Sequence, residues 1–361
     1  MYTDPLLSVR FRSRPAAPAA LVLLSLAAAA CSDDLPGPTA ADRSLPMTRV
    51  PGPELAAETV PNSWTNRIRM PTGRFGLVTA SVNGIIYAIG GWSGTPSQRV
   101  EAYNPNTNTL VAWTTRAPLP SKRHLPNGAA VINGKIYVAG GLNAEGRTTS
   151  TLFVYHVAGN AWFAKAPMPI NSYGGAAAAI DGKLYVLATP PGQDGRFTNP
   201  TRLFRYDPAT NTWSERAPAP HHHHQGVVRA INGKLYVAGG MTMIDSDVSG
   251  YLQPKAWVEL DVYDPVTNTW SGRVPMPTAR HEAVASVMDG KLYVAGGWAG
   301  VSPVPTLEVY DPVANTWAAR ADMPTARGGA GAGVVNGVLY VLGGRSNFES
   351  GALRSNEAYT K

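Results

Sequence analysis

Six copies of one phrase predict an all-β chain folded as a six-bladed β-propeller, with four antiparallel strands per blade. The phrase is a Trp, an Arg or Lys three residues on, an apolar residue at the sixth position (Ala in one copy), and then Pro. Its tryptophans, Trp64, Trp113, Trp162, Trp213, Trp270 and Trp317, are spaced 49, 49, 51, 57 and 47 residues apart. A period near fifty marks stacked supersecondary units rather than a single continuous core. The second observation is an Asn-Gly or Asp-Gly pair between two apolar runs, starting at Asn83, Asn133, Asp181, Asn232, Asp289 and Asn336. Such pairs suit a two-residue hairpin, because a type I′ turn needs positive φ twice. The third is a short run ending in Tyr-Asp-Pro or a variant, as at Tyr103-Asn104-Pro105, Tyr206-Asp207-Pro208, Tyr263-Asp264-Pro265 and Tyr310-Asp311-Pro312. Hairpin, Tyr strand and Trp strand make four strands per unit, which is one propeller blade.

In chain order, the first segment is a targeting sequence. Arg10, Arg12 and Arg14 precede an apolar stretch over residues 16–30, too short to span a bilayer and suited to a signal-peptide core. It ends in Ala28-Ala29-Ala30-Cys31, which resembles a bacterial lipobox and marks Cys31 for lipidation, although Ala28 stands where Leu is usual. Residues 1–30 are therefore expected to be a lipoprotein-type signal peptide. Residues 31–60, with scattered Pro, Ala and acidic residues and no hydrophobic period, read as a disordered tether. Residues 61–361 form the propeller. The strand carrying Trp64 comes before any hairpin, whereas Ser355-Asn356-Glu357-Ala358-Tyr359 is a third strand with no fourth after it. The N-terminal strand is thus expected to complete the last blade and close the ring.

The double glycine after each hairpin, the Tyr and the spaced Trp together resemble the kelch motif over residues 61–361. Blade 3 departs from it, with Ala188-Thr189 in place of Gly-Gly. The resemblance implies that the connection after each Pro and the loop after each Gly-Gly form the ligand-facing rim. On that rim fall Arg74-Phe75, Arg123-His124, Tyr173, His223-His224, Arg280-His281 and Arg327. Trp92, Trp298 and Arg345 follow their double glycines, and a long loop over residues 241–257 carries Asp245, Asp247 and Tyr251. Arginine forks suit carboxylate or phosphate, and aromatics beside polar groups suit sugar rings or peptides. The expected function is a cell-envelope binding module for a glycan or protein ligand, anionic in character.

The resemblance also admits enzymes. Copper radical oxidases with kelch-type blades need a Cys joined to a Tyr, and the single cysteine, Cys31, lies in the leader. Sialic-acid mutarotases are exported six-bladed kelch proteins that need only an acid–base pair, for which Arg280 with Glu282 or His281 with Asp245 are the candidates. No motif selects either pair, so a carbohydrate-modifying activity of this kind remains the alternative. No cofactor is expected. The run His221-His222-His223-His224 supplies no tetrahedral metal set by itself, and residues 245–250 resemble a calcium loop but lack its terminal Glu, so no metal is assigned. The net charge is +7, or +5 once residues 1–30 are removed, with no basic run or nucleic-acid motif, so nucleic acid is not an expected partner. The expected state is an exported monomer, anchored to an outer membrane or cell surface through Cys31 or otherwise periplasmic or secreted.

Overall fold

The computed structural model describes residues 62–107, 111–190, 200–245, 252–349 and 351–361. Cys31, the leader and the tether lie outside them, as do Asp247 and Tyr251. Six four-stranded antiparallel sheets are present, each with its strands in meander order. Blade 1 comprises Val78–Val82, Ile85–Ile89, Val100–Tyr103 and Trp113–Thr115. Blades 2 and 3 begin at Ala129–Ile132 and Ala176–Ile180, blade 4 at Val227–Ile231, blade 5 at Val284–Met288 and blade 6 at Gly331–Val335. Each of these first strands packs against the first strands of both neighbours, so the six surround a central channel.

The ring closes as the sequence predicts. Ser63–Asn66 pairs with Asn356–Thr360, setting Ser63 opposite Thr360 and Trp64 opposite Tyr359. Blade 6 therefore draws strands from both ends of the propeller, and the outer edge of the C-terminal strand is covered.

The repeated residues hold blade to blade. Each Trp indole donates to a carbonyl on the preceding blade's outer segment: Trp113 to Ile68 at 3.0 Å, Trp162 to Ala117 at 2.9 Å, and Trp64 across the seam to Ala321 at 2.7 Å. The turn before five of the six Trp strands presents an Asn at positive φ, where Asn is tolerated better than most side chains. Asn160 accepts both the Tyr155 hydroxyl of its own blade at 2.5 Å and the Ala117 amide of the previous one at 2.8 Å. The hydrophobic clusters straddle neighbouring blades in the same way, with Tyr87 and Ile89 of blade 1 packed with Ile136 and Tyr155 of blade 2. A fully buried side chain of this size contributes about 1.5–3 kcal/mol. Stability is thus a sum over blade interfaces rather than the property of one core.

The extra hairpins lie on one face. After its Gly-Gly, blade 4 adds a second hairpin, Met241–Asp245 paired with Leu252–Ala256, and blade 5 adds a short one, Trp298–Ala299 with Ser302–Pro303. The opposite face carries the Asn-Gly and Asp-Gly turns. Blade 3 manages without Gly-Gly because neither Ala188 nor Thr189 takes positive φ, and the Ser172 hydroxyl donates to the Thr189 carbonyl at 3.2 Å. Where the glycines remain they are needed: a Cβ on Gly240, at φ 113°, would lie 2.8 Å from the His223 backbone.

Candidate functional site at the channel mouth

The connection after each Pro does lead to the channel mouth, but its arginines do not present free cations there. Arg74, Arg280 and Arg327 are buried. Each reaches sideways into its own blade to a buried glutamate on the third strand: Arg74 to Glu101 at 2.8 Å, Arg327 to Glu357 at 2.6 Å, and Arg280 to Glu308. A threonine two residues earlier completes each triad, with Thr72 donating to Glu101 at 2.7 Å, Thr278 to Glu308 at 2.6 Å and Thr325 to Glu357 at 2.7 Å. Further guanidinium donors of Arg74 and Arg280 go to carbonyls, as from Arg74 to Gly90 at 2.9 Å and Arg99 at 3.0 Å, and Arg327 donates to the Ser355 hydroxyl. This corrects the expectation that these side chains meet a ligand. They tie the inner connection to the third strand, and Arg280 is likewise unavailable as half of an acid–base pair.

Where the third strand carries no acid, the arginine changes role or disappears. Arg123, also buried, lies over the Phe153 ring at 5.3 Å and donates to Thr151 at 2.8 Å. Blade 3 has Ser172 opposite Phe204. Blade 4 alone substitutes histidine and aspartate: His223 Nε2 lies 2.9 Å from Asp261.

The other rim residues pack into a collar. Phe75, His124, His224 and His281 bridge to the residue after the double glycine (Trp92, Leu142, Met241 and Trp298), and Gly328 bridges to Arg345. Arg345 sits over Phe75 at 4.4 Å and over Phe348 at 4.8 Å, and Phe348 stacks on Trp298 at 4.4 Å. Tyr173 meets His224 edge-on at 5.2 Å. Burial lowers the pKa of His124 and His224 to about 3, with Arg345 adding to the effect on His124 and His281 to that on His224. Both imidazoles are neutral packing groups at physiological pH. His281, lowered chiefly by burial, is within 3.1 Å of the Gly300 carbonyl through Nε2. Trp92 remains half-buried, and Asp245 lies in the blade 4 extension.

Inside this collar the backbone forms a closed hydrogen-bonded circle that the sequence did not suggest. Gly76 donates to Gly329, Leu125 to Gly76, Gly174 to Leu125, Gln225 to Gly174, Glu282 to Gln225, and Gly329 to Glu282, at 2.6–3.0 Å. All six residues have positive φ, between 46° and 64°. Three are glycines, which take this conformation freely. Leu125, Gln225 and Glu282 take it at a cost of about 1–2 kcal/mol each. Leu125 fills an apolar cluster with Leu142, Tyr173 and Met241. Gln225 and Glu282 instead bring polar groups to the mouth from adjacent blades. Both amide atoms of Gln225 are buried without a hydrogen-bond partner, and the Glu282 carboxylate accepts only a 3.3 Å bond from the Trp298 indole. A buried amide with neither end satisfied costs free energy until a partner bonds to it.

Below the circle lies a cavity of about 130 Å³ lined by the first strands, continuous in its lining with a wider space of about 300 Å³ toward the turn face. Arg229 borders both. It is the only charged residue on the six first strands, and its counterparts in the other blades are Ala80, Ala130, Ala178, Ser286 and Gly333. Its guanidinium lies deep within the protein volume yet touches channel space. Burial lowers its pKa to about 10, so it remains a cation at neutral pH. Among the described residues its one hydrogen bond goes to the adjacent Val228 carbonyl at 2.7 Å, and no carboxylate pairs with it. Sequence comparison between blades could have singled it out: five small residues and one arginine at the same step of the same strand. The mouth therefore combines a free cation, an unsatisfied amide and a carboxylate on the side formed by blades 4 and 5.

The Kelch-repeats domain model described as KLHDC2/KLHL20/DRC7 matches residues 174–359, and the Kelch motif matches residues 73–109 and 123–169. Kelch-like protein terF of Aspergillus terreus is 30% identical over 321 residues, covering 70% of this chain and 67% of that protein. Kelch-like protein 25 of Xenopus tropicalis is 29% identical over 187 residues, 50% of this chain and 30% of its own length. Kelch repeat and BTB domain-containing protein 12 of Homo sapiens is 28% identical, with 47% of this chain and 29% of that protein covered. The chain thus spans about three-tenths of the length of these last two. Among solved structures, the "Structure of YjhT" superimposes with a TM-score of 0.65 at 18% identity, covering 80% of this chain and 95% of that one, a likeness of fold alone.

Proposed function

The chain belongs to the kelch-repeat family, whose propellers are commonly protein-interaction modules, and from that premise we propose that it is a binding module that takes a carboxylate-bearing group of a protein or glycan at the channel mouth. The observation that carries this reading is Arg229, a lone unpaired cation at a position that is small in every other blade. A guanidinium in a narrow channel favours an anion more strongly than one on the open surface, because screening is weaker there. Gln225 and Glu282 offer an amide and an acceptor to hydroxyl or N–H groups beside that carboxylate. The projecting hairpins of blades 4 and 5 stand on the same side and extend the contact surface.

The test is a calorimetric screen with acidic peptides and free N-acetylneuraminate as probes. Arg229→Ala is expected to weaken a bound probe by about 1.5–3 kcal/mol, the value of a hydrogen bond to a charged group. Indifference to that substitution sinks the channel-mouth site. If N-acetylneuraminate equilibrates its anomers faster with the protein than without, the alternative, a mutarotase-like activity, replaces simple binding.

The sequence of residues 1–60 supports export with acylation at Cys31, which would hold the propeller at a membrane surface. Labelled palmitate is expected in the exported protein and absent from Cys31→Ala. Lipid-free wild-type protein rules the anchor out.

A further inference from the structure

Blade 4 rewrites the Thr–Arg–Glu triad of blades 1, 5 and 6 in another chemistry. At the three corresponding positions stand His221, His223 and Asp261. His221 Nδ1 lies 2.7 Å and His223 Nε2 2.9 Å from Asp261 Oδ2, and the three ligand atoms lie within 4.8 Å of one another. Asp261 and His223 are buried, while the His221 side chain is 49% exposed.

The charge pattern across the blades sets the question. In blades 1, 5 and 6 the buried carboxylate faces a permanent cation. In blades 2 and 3 the carboxylate is replaced by Phe153 or Phe204, so no cation is required. Blade 4 keeps the carboxylate and discards the guanidinium. Hydrogen bonding sharpens the mismatch. His223 Nδ1 lies 2.7 Å from the Gly239 carbonyl, an acceptor that holds a ring proton on that nitrogen, while Nε2 faces Asp261. A carbonyl holding the remote nitrogen of an imidazole is the support that metal-ligating histidines ordinarily have. The second carboxylate oxygen, Oδ1, is buried with no hydrogen-bond partner. Two imidazole nitrogens and a carboxylate therefore converge on a point where the other acid-bearing blades place positive charge.

We propose that His221, His223 and Asp261 bind a divalent transition-metal ion of the zinc type, which replaces in blade 4 the guanidinium of the other triads. Two imidazoles and a carboxylate suit zinc rather than calcium or magnesium, whose shells are built from oxygen. The exposed side of His221 gives an entry path and leaves a fourth position to water. The ion would pin the inner connection at His223, which leads into the blade 4 strand that carries Arg229, to the third strand at Asp261.

The experiment uses the untagged full chain, stripped with chelator and titrated with zinc chloride by calorimetry, with melting temperature and metal content read in parallel. One zinc per chain and a raised melting temperature are expected. His221→Thr installs the residue of the other triads at a half-exposed site; it should leave the metal-free melting temperature unchanged and weaken zinc binding by about tenfold or more. The combined variant His221→Thr, His223→Arg, Asp261→Glu writes the complete blade 1 triad into blade 4 and should fold without binding zinc. Lack of saturable zinc binding by the wild type overturns the proposal. Zinc affinity undiminished in His221→Thr, or any saturable zinc binding by the triple variant, does so too, because the metal would then sit on other groups such as His222 or His224.

Discussion

Blades 5 and 2 begin with the same Arg-His pair, at Arg280-His281 and Arg123-His124, and treat it differently. In blade 5 the arginine enters a buried ion pair with Glu308, backed by Thr278. In blade 2 the third strand offers Phe153, and Arg123 lies over the ring. The two arginines are alike in sequence and burial, but only one has a buried charge depending on it. Removing a cation is severe where it orphans a carboxylate and mild where it uncovers an aromatic ring. What surrounds the side chain determines its role.

Two substitutions test that contrast. Arg280→Met keeps the volume and strands Glu308, so it is expected to cost about 3–5 kcal/mol, the usual range for breaking one side of a buried ion pair. Arg123→Met leaves no charge behind and is expected to cost about 1 kcal/mol, the scale of a cation–π contact or one hydrogen bond. Urea midpoints of the two variants under one buffer condition measure both. Equal losses would show that the triads add nothing beyond packing; a larger loss at Arg123 would invert the comparison.

The same contrast shows which parts of the molecule could be read in advance. Asn-Gly turns and spaced tryptophans act locally, through backbone conformation and adjacent-strand packing, so the six blades and the closing strand were legible. The fate of the arginines was not, because each partner lies 27 to 30 residues away on another strand. A trace was nevertheless present. Glu101, Glu308 and Glu357 occupy one position in the repeat, and that position is acidic or phenylalanine in every blade. Paired with the residue at the start of the blade, it would have exposed the triads and the odd His–Asp version in blade 4. Arg229 escaped because the rim loops drew attention as the variable region, while the decisive irregularity sat in the middle of the most regular strand. The backbone circle had no signature at all: its six members are Gly, Leu, Gly, Gln, Glu and Gly, and only the three glycines favour the dihedral angle they share.

That circle limits how anything can be recognised at the mouth. Every one of its six amides already donates to a neighbour in the same rotational sense, so a visitor finds no backbone N–H to engage and must be addressed by side chains. Positions 225 and 282 on the circle and 229 beneath it are then the letters of a short, exchangeable word set in a fixed frame. Rewriting them would alter which molecule is accepted without asking the frame to move, and one ring could be retargeted by a few substitutions while its sheets stay as they are.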